Sequence, residues 1–199
     1  MKLVLLLFAT TLAASAQAPD SVTAAARSQI GQTVTYDPAY AALKYPGGDV
    51  PLERGVCTDV VIRAWRTALQ VDLQKLVHED MTTHFSAYPK KWGLSRPDKN
   101  IDHRRVPNLQ TFFQRKGLSL AVTKNPGDYQ PGDIVTCTVP PRLDHIMIVS
   151  DKKTPDGRPF ILHNIGQGTR EEDALFTFPL TGHYRWQAGP APPAAREKK

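Results

Sequence analysis

The hydrophobic pattern of this chain changes period partway along, and that change limits the fold more than any other feature. From Cys57 to Leu69 the apolar residues Val60, Val61, Ala64, Trp65 and Ala68 recur at intervals of three and four, which predicts a helix with one buried face. After Gly117 the pattern turns into short apolar or alternating runs, Leu118 to Val122, Asp133 to Val139, His145 to Ser150 and Phe160 to Asn164. Pro-Gly, Pro-Pro and Asp-Gly pairs separate them, so they read as strands joined by tight turns, with Asp156-Gly157 the clearest hairpin tip. A last short strand is expected near His183 to Trp186. Helices first and antiparallel strands after make an α+β fold.

Capping signals place the other helices. Asp20 or Ser21 opens a first helix over 20–31 that Gly31 ends. Residues 72–86 form a further helix with a polar face, and Val106 to Lys116 another, with Pro107 near its start and Gly117 at its end. Between Thr35 and Arg54, Pro38, Pro46, Gly47, Gly48 and Pro51 preclude a regular element, and Tyr36, Tyr40 and Tyr45 give this loop a surface suited to bordering a site.

The two ends are set apart by composition. Lys2, the apolar run Leu3 to Leu12 and Ala14-Ser15-Ala16 have the order of a secretory signal, with cleavage expected after Ala16. The run is too short to span a bilayer, which needs about 20 apolar residues, so no stable membrane insertion is expected. Residues 17–187 then form a single domain and 188–199, rich in Pro and Ala, a disordered tail. The formal net charge of +6 suits polyanionic surroundings such as a cell envelope. An exported chain with no basic helix and no nucleic-acid motif is not expected to bind nucleic acid.

Two residues carry the chemistry. Cys57 opens the predicted helix just after Gly55, where unpaired backbone N–H groups and the positive dipole end would stabilise a thiolate and help to hold an oxyanion. His145 opens a strand after the loop bearing Pro140, Pro141 and Asp144 and is the candidate base. On the next strand His163 would fix the tautomer of His145, whereas Asn164 points to the opposite face because side chains alternate. The competing reading closes a structural Cys57–Cys137 disulfide in a non-catalytic envelope-binding module. The six histidines lack metal-ligand spacing, and no metal or cofactor is expected. Arg104 and Arg105, after His103, either grip a substrate carboxylate or pair with Asp98 or Asp102. Tyr36, Asp59 and Asn164 join them as candidate substrate contacts.

Four stretches carry a family resemblance: Gly-Val-Cys-Thr-Asp-Val-Val-Ile-Arg-Ala at 55–64, Asn-Ile-Asp-His-Arg-Arg-Val-Pro-Asn-Leu at 100–109, Pro-Gly-Asp-Ile-Val at 131–135 and His-Asn-Ile-Gly at 163–166. Over residues 24–186 the chain resembles the exported bacterial proteins grouped as DUF1287. These in turn resemble the NlpC/P60 papain-like superfamily, with Cys at a helix start, Pro-Gly-Asp opening a strand, His opening the next and a polar residue one strand later. The resemblance implies a papain-like fold and a triad of Cys57, His145 and His163. It also implies cleavage of amide bonds in peptidoglycan stem peptides, in the periplasm. Thr-Asp in place of Ser-Gly after Cys57, and a long insertion before the strands, are departures that leave the bond and any regulator open. Acyl or amide transfer by the same triad is the remaining alternative.

Overall fold

The computed structural model describes residues 21–186; the expected signal segment and the C-terminal tail lie outside them. The chain is α+β. Four helices, α1 (Val22–Arg27), α2 (Cys57–Leu69), α3 (Leu73–His84) and α4 (Val106–Arg115), precede most of the sheet. The strands are β1 (Thr35–Tyr36), β2 (Arg54–Gly55), β3 (Ser119–Leu120), β4 (Ile134–Val139), β5 (Leu143–Lys153), β6 (Pro159–Asn164), β7 (Thr169–Glu172) and β8 (Leu180–Tyr184). β1 and β2 form a parallel pair, and the rest form one antiparallel sheet in the order β3-β8-β4-β5-β6-β7.

Alternation along the strands splits the core in two. Ile134, Ile146, Ile148 and Leu162 face the helices, whereas Val135, Cys137, Met147, Val149 and Ile161 face a second cluster with Tyr129 and Leu175. Each fully buried Ile, Leu or Val on either face contributes about 1.5–3 kcal/mol.

The predicted helix with one buried face is in fact enclosed, since every residue from Cys57 to Trp65 is buried. The sheet covers one side, and the wrapped 35–56 segment covers another. Arg63 of α2 holds that segment: it pairs with Asp49 at 2.8 and 3.0 Å and donates to Thr33 Oγ1 at 2.9 Å and to the carbonyls of Val50 and Arg54, both at 3.0 Å. A buried guanidinium is tolerable only when its donors are filled in this way. Among the described residues no helix is long and apolar enough to cross a membrane.

Candidate functional site

The site begins where β2 turns into α2. Gly55 leaves room there for Asp59: a Cβ at that position would lie 3.0 Å from Asp59 Oδ2 and 3.1 Å from Asp59 Cβ, so the carboxylate would have to shift. Val56, the N-cap, has no side-chain acceptor, so Asp59 reaches back and accepts from the Val56 N–H at 2.7 Å. This leaves Cys57 as the first helical residue. The N–H groups of Ile146, Thr58 and Cys57 all bond towards its sulfur and favour a thiolate, but burial outweighs them. Burial, with the Asp59 carboxylate adding to it, pushes the Cys57 thiol up to about 12. The expectation of a thiolate poised by the helix end is therefore corrected: the free site holds a protonated thiol.

How the sulfur meets the sheet follows from the ladder. Val149 N–H donates to Asp133 O at 2.8 Å, towards β4, so the alternating pattern of an antiparallel strand turns the N–H groups of Ile148 and Ile146 towards β6. The β5–β6 pairing ends at the Ile148–Leu162 rung, whereas β6 stays paired with β7 as far as Asn164–Thr169. The strands have parted there, and the Cys57 sulfur takes the N–H of Ile146 that β6 no longer accepts. It thus lies in the opening of the sheet, against the residue that follows His145.

His145 stands opposite Cys137 on β4, on the sheet face away from the helices and from Cys57, and no hydrogen bond among the described residues joins its ring to the sulfur. Its Nε2 lies 2.8 Å from His163 Nδ1, with the rings edge to face, and His163 Nε2 lies 2.7 Å from Glu172 Oε1. Burial pushes His145 down to about 3, and the neighbouring His163 adds to the shift. Burial lowers His163 too, with Glu172 working against it. Both imidazoles are neutral at neutral pH. Asn164 lies on the opposite face of β6, as alternation requires, with Nδ2 donating to Gly55 O at 3.1 Å and Oδ1 accepting from Gly166 N–H at 3.2 Å. It anchors the entrance to α2, and the expectation of a substrate contact there is corrected.

A cleft of about 270 Å³ opens over the sulfur, bordered by Tyr36, Trp92, Arg105, Arg142 and Asp144. The β1–β2 register sets Tyr36 beside Gly55, within hydrogen-bonding reach of Cys57. Arg105 stacks on Trp92 with its guanidinium carbon 4.1 Å from the ring centre, and it pairs with Asp102 at 3.3 Å. Of the other candidate substrate contacts, Arg104 borders the same cleft, but it is engaged with Asp59. Arg104 Nε and Nη2 each lie 2.9 Å from an Asp59 oxygen, both side chains are almost wholly buried, and the carbonyls of Ala39 and Asp37 take further donors. The pair is saturated and fastens α2 to the segment before α4.

Both cysteines are free, so the Cys57–Cys137 bridge of the competing reading is not formed. Cys137 belongs to the second core, on the far face of the sheet. Among the described residues no group of three or more His, Cys, Asp or Glu is placed to hold a metal ion. Two site residues escaped the sequence reading. Trp92 lies in a turn outside any periodic pattern, and Glu172 sits in Thr-Arg-Glu-Glu, an edge strand with no apolar residue to announce it.

No solved structure matches the chain. The uncharacterized protein YijF of Escherichia coli (strain K12) is 60% identical over 161 residues, covering 81% of this chain and 78% of that protein. The family model described as a domain of unknown function, DUF1287, matches residues 23–186, which takes in α1, the Cys57 helix end, the histidine strands and the whole sheet. On that match the chain belongs to the DUF1287 family.

Proposed function

We propose that this chain is an exported cysteine hydrolase with a papain-like, NlpC/P60-type active site, cleaving amide bonds in the stem peptides of peptidoglycan. The observation that carries the reading is the placement of a helix-start cysteine in the parted sheet, next in space to the residue after His145, with His145 bonded to a second histidine. Export rests on the signal-like Leu3 to Leu12 run and Ala14-Ser15-Ala16.

In this reading His145 turns through the gap between β5 and β6 to take the Cys57 proton as the sulfur attacks the amide carbonyl carbon. The N–H groups of Cys57 and Thr58, unpaired by the helix, hold the oxyanion. The amine leaves with the proton from His145, which then takes a proton from water so that hydroxide can cleave the thioester to the acid and the free thiol. With the thiol near 12 and the imidazole near 3, a standing ion pair is unfavourable, so proton transfer is coupled to attack. Fit to the substrate comes from the cleft: Lys91 is paired with Asp144, Arg104 with Asp59 and Arg105 with Asp102, which leaves Arg142 as the rim cation without an acidic partner among the described residues. A cationic cleft of this kind favours peptides with free carboxylates.

The test is digestion of purified sacculi by the wild-type protein and by Cys57→Ala. Fragments with new amine and carboxyl ends from the wild type alone support the proposal. Identical patterns from both proteins overturn it.

A further inference from the structure

The hydrogen-bond partners of the two site histidines form a directional series, and its far end is Glu172. A carboxylate only accepts, so the 2.7 Å contact requires His163 to carry its proton on Nε2. A neutral imidazole has one N–H, and His163 is neutral because burial lowers its pKa. Its Nδ1 therefore holds a lone pair. The 2.8 Å contact from that atom to His145 Nε2 then needs the proton on His145 Nε2. His145 is neutral as well, so its remaining nitrogen, Nδ1, is left basic.

We propose that Glu172 is a positioning residue that sets the tautomers of His163 and His145 in series, so that His145 presents an unprotonated Nδ1. The assignment deepens the hydrolase reading by naming the basic atom and the residue that keeps it basic; in that reading Nδ1 receives the thiol proton. The position of Glu172 fits the role. It lies on β7 opposite Ile161, so its side chain shares the sheet face of His163. Arg170, directly opposite His163 on the same strand, resists a second proton on that ring. Glu172 is half-exposed, so its replacement leaves little buried surface to repair.

Ring ¹H–¹⁵N correlation spectra of the histidine-labelled chain near neutral pH test this directly. Wild type is expected to show the Nε2–H form at both His145 and His163, and an Nδ1–H form at either overturns the proposal without any variant. Glu172→Ala is expected to leave a tautomer mixture. Glu172→Lys, which offers only donors, is expected to invert both rings, and unchanged spectra in Glu172→Lys overturn the proposal. In digestion assays Glu172→Ala is expected to lose about 10- to 100-fold in kcat with KM little changed. The two readings fail separately: correct tautomers in a wild type that leaves sacculi intact sink only the hydrolase, and an active wild type with unchanged tautomers in Glu172→Lys sinks only the relay.

Discussion

The sheet holds two histidine–carboxylate clusters, and they differ in whether they are closed. In the first, His183 Nε2 lies 2.7 Å from Asp133 and Nδ1 lies 3.2 Å from Ala121 O, while Arg185 grips both Asp133 oxygens at 2.7 Å. The His183 and Asp133 side chains are each 1% exposed, and Tyr129 stacks on the imidazole at 4.4 Å. Both ring nitrogens and both carboxylate oxygens are engaged, so this cluster holds the Pro131-Gly132-Asp133 turn against β8. The second cluster, His145–His163–Glu172, is a chain with two ends: a half-exposed carboxylate at one, and at the other an imidazole whose Nδ1 has no hydrogen-bond partner among the described residues. Similar groups give a rivet when the series closes and an imidazole nitrogen left without a partner when it does not.

The comparison breaks most sharply at the sulfur. On the proposed hydrolase reading, Cys57→Ala is expected to lower hydrolysis by at least about 10⁴-fold while leaving the unfolding free energy within about 1–2 kcal/mol of wild type, since it removes one sulfur from a small buried site. Rate assays paired with urea unfolding read both. The closed cluster should behave in the opposite way. Asp133→Ala leaves His183 and Arg185 facing each other without their acceptor, and a loss of about 3–5 kcal/mol in unfolding free energy is expected. A loss below about 1 kcal/mol would show that the cluster is not a rivet.

Acid should act on the open cluster next. His145 sits at about 3 in the fold against an ordinary 6.5, so the unfolded chain binds this proton first as pH falls. The stability tied to its neutrality is complete above about 6.5 and is lost between there and about 3, at about 1.4 kcal/mol per pH unit for each such group. His103, buried and pushed down to about 4, adds to the same window. Urea midpoints followed downward from neutral pH should fall less steeply in His145→Gln than in wild type, and equal slopes would contradict the burial of a neutral imidazole there. The smallest effect is expected at the cleft rim. Arg142→Ala should raise KM for a carboxylate-rich peptide by about 2- to 5-fold with kcat unchanged, as expected for an exposed charge that acts before the chemistry.

Much of this architecture was legible because it repeats. The α2 stripe, the Gly117 stop and the Ile146-Met147-Ile148-Val149 run carry periods that report burial locally, and each element lies within a few residues of its expected place. β5 runs longer than expected at both ends, β1 and β2 pair the two ends of a stretch in which no regular element was expected, and β7 was missed, since a polar edge strand leaves no apolar alternation. The site divided along the same line. Cys57 at a helix start and His163 opposed to Asn164 across β6 follow from spacing alone. That Arg104 meets Asp59 rather than Asp98 or Asp102 depends on the chain folding back between residues 45 positions apart, which no local pattern encodes.

Sequence alone determined that helices come first and antiparallel strands after, and singled out Cys57, His145 and His163 as candidates, because hydrophobic period, capping and alternation act over a few residues. The tertiary structure decided the protonation of the thiol, the parting of β5 from β6 that admits it to the sheet, and the recruitment of Glu172. Those depend on desolvation and on pairings between distant segments, and neither exists until the chain has packed.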